Sequence, residues 1–192
     1  MNMKSGILVV VFLFLSGCSA SWHYSHTETG TLKGKVLVQW IAPDQFMFIP
    51  DDADPLTFTR SNGSVIKPEK MFTDGGSIPR VMWALRNYSP WGYAPAFMIH
   101  DWLFVMKQCR LPGFEQYNHR IAADIMAEVM KTLMEDPRYG GRNKLVLYSM
   151  YKAVSSSIAE ESWENGACHQ PGDRALDLFA QKPRMEYLIT FP

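Results

Sequence analysis

Three cysteines, no excess of charge of either sign, no internal repeat and no apolar run long enough to cross a bilayer leave the sequence short of features that declare a function. Each shortage excludes something. Nineteen basic residues stand against 19 acidic ones. No basic run or stripe is present, so the electrostatic footprint needed for phosphate-backbone binding is missing and nucleic acid is not an expected partner. The apolar run Ile7 to Leu15 is well short of the about 20 residues that a membrane-spanning helix requires. No ligand spacing of a known zinc motif occurs. With no repeat and no sign of a second domain, one domain with an ordinary core is expected.

What is present begins at the N-terminus. Lys4, the apolar run, and then Leu15-Ser16-Gly17-Cys18 follow the charged, apolar, small-residue order of an export signal. Leu-Ser-Gly-Cys resembles the bacterial lipobox, in which the cysteine is acylated and becomes the first mature residue. The expectation is a lipoprotein signal over 1–17 and a lipid on Cys18 (palmitate among its acyl groups) that tethers the protein to a membrane. Ser19 at the second mature position fits sorting to the outer membrane, with the protein facing the periplasm. An ordinary secretory signal cut near Ala20 is the alternative. The mature chain, Cys18 to Pro192, has 175 residues, and loss of Lys4 from a balanced chain leaves it near −1. Once Cys18 is acylated, Cys109 and Cys168 are the remaining thiols. An exported pair can form a disulfide; two free thiols are the alternative.

Residues 19–31, rich in Ser, Thr, His and Gly, read as a flexible tether, and 18–33 is assigned to it. From Gly34 the pattern is extended. Lys35 to Ile41 and Gln45 to Ile49 are β-branched and aromatic runs, and Leu56 to Arg60 alternates at period two. Ser61-Asn-Gly-Ser64 reads as a hairpin turn, Asn-Gly supplying positive φ angles. Helices are then expected over 94–107, apolar almost all round; over 118–135, with Ala122, Ile125, Met126, Val129, Met130 and Leu133 in one stripe; and over 143–163, packing through Leu145, Tyr148, Met150, Tyr151 and Ile158. Strands followed by helices make an α+β domain over 34–166. Residues 167–192 form a C-terminal extension that either adds a last strand near 187–191 or lies on the surface.

Three features could carry chemistry. His100 and Asp101 stand side by side in a helix otherwise almost without polar residues. Buried ionisable groups need partners, and neighbours on a helix point about 100° apart, so these two cannot simply satisfy each other. A hydrogen-bonded structural histidine is the plain alternative. Thr73-Asp74-Gly75-Gly76-Ser77 lets backbone come close to an ion, with the aspartate as a hard oxygen donor, although Asp-Gly-Gly is also an ordinary turn. Asp124 lies on the following helix, in phase with Arg120, Glu128 and Lys131, where a solvated face is the alternative.

The order Asp74-Gly-Gly-Ser-Ile-Pro-Arg80, Pro95-Ala-x-x-x-His100-Asp101-x-Leu-Phe104 and Arg120-x-x-x-Asp124 resembles the bacterial and phage family known as domain of unknown function 1353, over roughly Gly34 to Met134. More distantly, the same blocks are similar to bacterial secreted phospholipases A2, which implies a three-helix core of that kind. It also implies His100 as general base, Asp124 fixing its tautomer, and Ca²⁺ held by Asp101 with the Asp74, Gly75 and Gly76 loop to polarise an acyl ester. The chain departs from those enzymes at three positions: Gly76 and Phe97 replace the bridged loop and helix cysteines, and Phe104 replaces a tyrosine.

Three function classes follow. One is a membrane-anchored envelope lipoprotein of uncharacterised role whose phospholipase-like domain is non-catalytic. The second is a Ca²⁺-dependent hydrolase of phospholipid or another acyl ester. The third is a transition-metal site from His100, Asp101 and His119.

Overall fold

The computed structural model describes residues 18–42, 45–73, 90–139, 141–168 and 185–191. Asp74, Gly75 and Gly76 lie outside them, so the expected ion-facing loop receives no structural account. Within the described residues a helix through 18–26 (α1) precedes the strands β1 (Thr31–Ala42), β2 (Gln45–Pro50), β3 (Thr57–Thr59), β4 (Val65–Ile66) and β5 (Met71–Thr73). The helices α2 (Ala94–Gln108), α3 (His119–Glu135), α4 (Lys144–Val154) and α5 (Ser157–Asn165) follow, and the strand β6 (Met185–Phe191) returns to the sheet. The class is α+β, as the sequence pattern predicts.

β1 is the spine of a six-stranded sheet of order β4-β3-β1-β2-β5, with β6 also paired to β1. Its first residues, Thr31 to Lys33, pair antiparallel with β3; Val36 to Ala42 pair with β2. Between them Gly34 sits at φ +100°, and a Cβ there would lie 2.1 Å from the Pro55 carbonyl oxygen, so only glycine lets the strand pass this point. The β3–β4 hairpin forms where Asn-Gly predicts it, with one difference. Gly63 alone takes positive φ (+85°), while Asn62 instead accepts hydrogen bonds from the Ser64 amide and hydroxyl. The turn is closed by Gly63 N–H to Arg60 C=O and Arg60 N–H to Ser64 C=O, leaving the glycine as a bulge.

The helices follow their caps. Asn118 accepts from the Ile121 amide to start α3, and Asn143 from Val146 to start α4. The predicted stripe of α3 is buried throughout, and α2 is buried on nearly every side. The single helix expected over 143–163 is broken. Ser155 ends α4, and the Ser156 side chain caps α5 by accepting from Ala159. The break re-phases the second half, so Ile158 (78% exposed) faces outward while Ala159 and Trp163 pack; in the first half Leu147, Met150 and Val154 pack and Leu145 (56% exposed) lies outside their stripe.

Residues 19–31 are not a loose tether. Ala20 and Tyr24, one turn apart on α1, are buried, and the Tyr24 hydroxyl donates to Glu135 Oε1 at 3.0 Å. Lys131 donates to the Thr27 carbonyl at 2.6 Å, and the Gly30 amide to Thr132 Oγ1 at 2.9 Å. The polar composition suggested a spacer, whereas two apolar side chains at helical spacing suffice to dock it. Cys109, at the end of α2, is bonded to Cys168 after α5, with Cα atoms 4.8 Å apart. No helix among the described residues is long and apolar enough to cross a membrane.

Candidate functional site

α2 begins with Pro95 in its first turn, where a missing N–H costs nothing, and carries His100 into the core. The imidazole is 1% exposed and lies 4.7 Å from the Phe104 ring, which meets Trp163 edge-on. His100 Nδ1 is 3.5 Å from Asp101 Oδ1, and neither ring nitrogen has a hydrogen-bond partner among the described residues. Such burial is costly for a polar group. The other carboxylate oxygen of Asp101, Oδ2, accepts the Thr73 hydroxyl at the end of β5 at 2.6 Å. That bond fastens Thr73, the last residue of β5, to the His-Asp helix.

Asp124 is elsewhere. The triad implied by the phospholipase resemblance requires it at a ring nitrogen of His100, and both nitrogens lack a partner. Asp124 instead opens to solvent on α3 and accepts a hydrogen bond from Tyr151 of α4. Helical phase explains this: Asp124 lies on the side of α3 away from the stripe that meets α2. The group around it was not visible in the sequence. The His23 ring of α1 lies tilted against Tyr151 at 4.2 Å and 5.4 Å from Tyr148, and its Nδ1 is 3.3 Å from Thr27 Oγ1. Arg60 at the end of β3 reaches Glu128 of α3 in a two-pronged bond, Nε to Oε2 at 2.7 Å and Nη2 to Oε1 at 2.6 Å. Asp124 and Glu128, one turn apart, repel each other, and Arg60 is the cation that makes the face tolerable. An acidic pair at that spacing was the available signal, but its partner lies 68 residues away in sequence.

The groups of this cluster are shifted from their ordinary titration. Desolvation pushes the Asp124 carboxyl above its usual range, opposed by the Tyr151 hydroxyl and reinforced by Glu128. Burial pushes the His23 imidazole down, with Asp124 opposing, and pushes the Tyr151 phenol up, with Asp124 adding to it. The Glu128 hydrogen bonds hold Arg60 more firmly protonated. His23, Asp124, Arg60, Trp22 and Tyr151 line a cavity of about 340 Å³. A neighbouring cavity of about 490 Å³ lies between α1 and α4, lined by Cys18, Trp22, Tyr148 and Lys152 among others.

Among the described residues no three His, Cys, Asp or Glu side chains converge as metal ligands. His119, buried at the start of α3 with Nε2 unpartnered, is therefore not joined to His100 and Asp101 in a transition-metal site. For calcium, the described residues supply one carboxylate, Asp101, already holding a hydroxyl. They do not by themselves make the oxygen-rich shell that ion takes. Cys18 is exposed and takes no part in a disulfide.

Residues 53–154, just over half the chain, match the family model described as Protein of unknown function (DUF1353). The match starts later than the motif order implied and runs on through α4. No curated protein and no solved structure matches the chain.

Proposed function

The chain belongs to the DUF1353 family, and from that premise we propose a lipid-anchored envelope protein, held at the outer membrane and facing the periplasm, whose domain is non-catalytic. The observation that carries the second half is the separation of Asp124 from His100. A general base needs a group that fixes its tautomer and a route to water. His100 is buried with both nitrogens unpaired, while the carboxylate that should orient it serves Tyr151 and His23. The anchor rests on Leu15-Ser16-Gly17-Cys18 and on the exposure of Cys18. The Cys109–Cys168 bond is of a kind that persists in oxidising compartments.

A second reading, a Ca²⁺-dependent acyl-ester hydrolase, is favoured by one contact, the bond that holds Thr73, the residue preceding Asp74 in sequence, to Asp101. The test puts both readings in one preparation. Metabolic labelling with a fatty-acid analogue should mark the protein, and Cys18→Ala should abolish both label and membrane fractionation. The labelled protein, incubated with phospholipid vesicles, should release no fatty acid, with calcium or with chelator. Calcium-dependent release that His100→Ala removes would replace the non-catalytic reading by the hydrolase. Unchanged fractionation of Cys18→Ala would sink the anchor.

A further inference from the structure

Cys18 lies on the outer side of α1, two residues before Ala20, whose side chain is 3% exposed against the body. At about 1.5 Å of rise per residue, an acyl group on Cys18 leaves the chain about 3 Å along the axis from the first packed side chain. An anchored domain so joined has no slack with which to swing away from the surface that holds it. One defined face must meet the lipid.

We propose that this face is the strip Cys18, Trp22 and His26 of α1 together with Leu145, Tyr148 and Lys152 of α4, and that its occupant is the headgroup region of a phospholipid bilayer. The inference rests on the lipid anchor proposed above. Cys18, Trp22 and His26 are spaced by four residues and share one side of the helix. Trp22 is 63% exposed, with its ring stacked at 4.3 Å on His26, so it is already ordered while still facing outward. Across the cavity between the helices, Leu145, Tyr148 and Lys152 share one side of α4, and Leu145 is 56% exposed. An indole, a phenol and a long-stemmed ammonium around an exposed aliphatic side chain match the water–hydrocarbon boundary, where rings sit at headgroup depth and lysine reaches phosphate. The cavity bounded by Cys18 and Lys152 has no acidic residue in its lining, whereas the adjoining one holds Asp124, Glu128 and Glu28. The two cavities meet at Trp22 and His23, and Lys152 puts the cation of the face at its Cys18 end, where anionic lipid would meet it.

The experiment uses full-length protein purified from membranes, with intact mass confirming the acyl groups. It is reconstituted in phosphatidylethanolamine–phosphatidylglycerol vesicles whose acyl chains carry bromine. Of six tryptophans, Trp22 should supply most of the bromine-quenched emission, so Trp22→Phe should lose most of the quenching seen in the parent. Lys152→Glu should weaken quenching more in vesicles containing phosphatidylglycerol than in purely zwitterionic ones. Acylated protein whose quenching is the same with and without Trp22 overturns the inference while leaving the anchor intact. So does a Trp22 that is shielded from aqueous acrylamide yet unreached by bromine, since a second copy of the chain would then cover the face. A mass without acyl groups overturns the anchor and this inference together.

Discussion

Two histidine–aspartate pairs occupy opposite conditions in this molecule. His100 and Asp101 are neighbours in sequence on one buried helix, with Asp101 Oδ1 3.5 Å from the imidazole and its Oδ2 held by Thr73. His23 and Asp124 are 101 residues apart in sequence, on separate helices, and meet at an open cavity with Tyr151 between them. The first pair is conspicuous in the sequence, and its imidazole is 1% exposed in the core. The second is inconspicuous in the sequence, and its groups are pushed off their ordinary titration by burial and by one another. Adjacency on a helix separates side chains by about 100°. What brings acid and base together is the packing of one element on another.

The largest expected effect breaks the open pole at its ion pair. Glu128→Ala leaves Arg60, whose side chain is 20% exposed, without its two-pronged partner. Stripping one side of a mostly buried pair costs about 3 kcal/mol, so the urea midpoint should fall markedly. Because the residues act as a unit, Arg60→Ala on top of it should cost much less than it does alone. Additive losses would mean that the pair is not coupled, and would weaken the view of this pole as a built cluster.

A smaller effect tests the buried pole. Thr73→Val keeps the shape and removes the hydroxyl that Asp101 accepts, a loss of about 1.5 kcal/mol for a hydrogen bond to a charged group. His100→Leu, in contrast, removes two unsatisfied nitrogens and should leave thermal stability unchanged or raised. A loss on His100→Leu as large as that of a core truncation would show that the imidazole has a role the separation from Asp124 does not suggest.

The smallest effect is one of pH. His23 titrates below its ordinary 6.5 in the folded protein, so the unfolded chain takes up its proton first. Its contribution to stability is fully present above 6.5 and is lost as the pH falls from there through the lower folded value. Asp124, raised from 3.8, acts in the opposite sense. Its contribution is present in acid and lost as the pH rises through the folded value. Asp124→Asn removes the charge that props up the His23 pKa, so the fall below 6.5 should steepen, and in His23→Gln it should flatten. Melting curves recorded across that interval read both, and equal slopes in all three proteins would contradict the assignment.

The strands, the buried α2 and the stripe of α3 were legible because each is written locally, in alternation, in all-round apolarity or in a 3.6-residue period. The hairpin was legible through Gly63. Other features depended on contacts that one segment does not record. Ser155 and Ser156 are unremarkable in a helical run until one ends α4 and the other caps α5. Ala20 and Tyr24 are too few to mark α1 as packed without sight of α3 beneath them. Of the candidate site, the bond between Cys109 and Cys168 was one of two readings that the scarcity of thiols left open. The placement of Asp124 could have gone either way, and its phase with Arg120 and Glu128, rather than the motif, proved the better guide.

β6 gives the molecule an order of completion. β1 is among the first segments made, and seven of its residues, Gly34 to Trp40, pair with Phe191 back to Met185 near the other end of the chain. Until those final residues arrive, a twelve-residue strand must wait with part of its backbone unpaired, the condition in which one chain templates onto another. Contacts of such sequence separation form late and slowly. Removing the last few residues would therefore do more than shorten a surface segment. It would leave the central strand of the sheet half-clothed, and the yield of intact protein would fall through aggregation before any loss of melting temperature became visible.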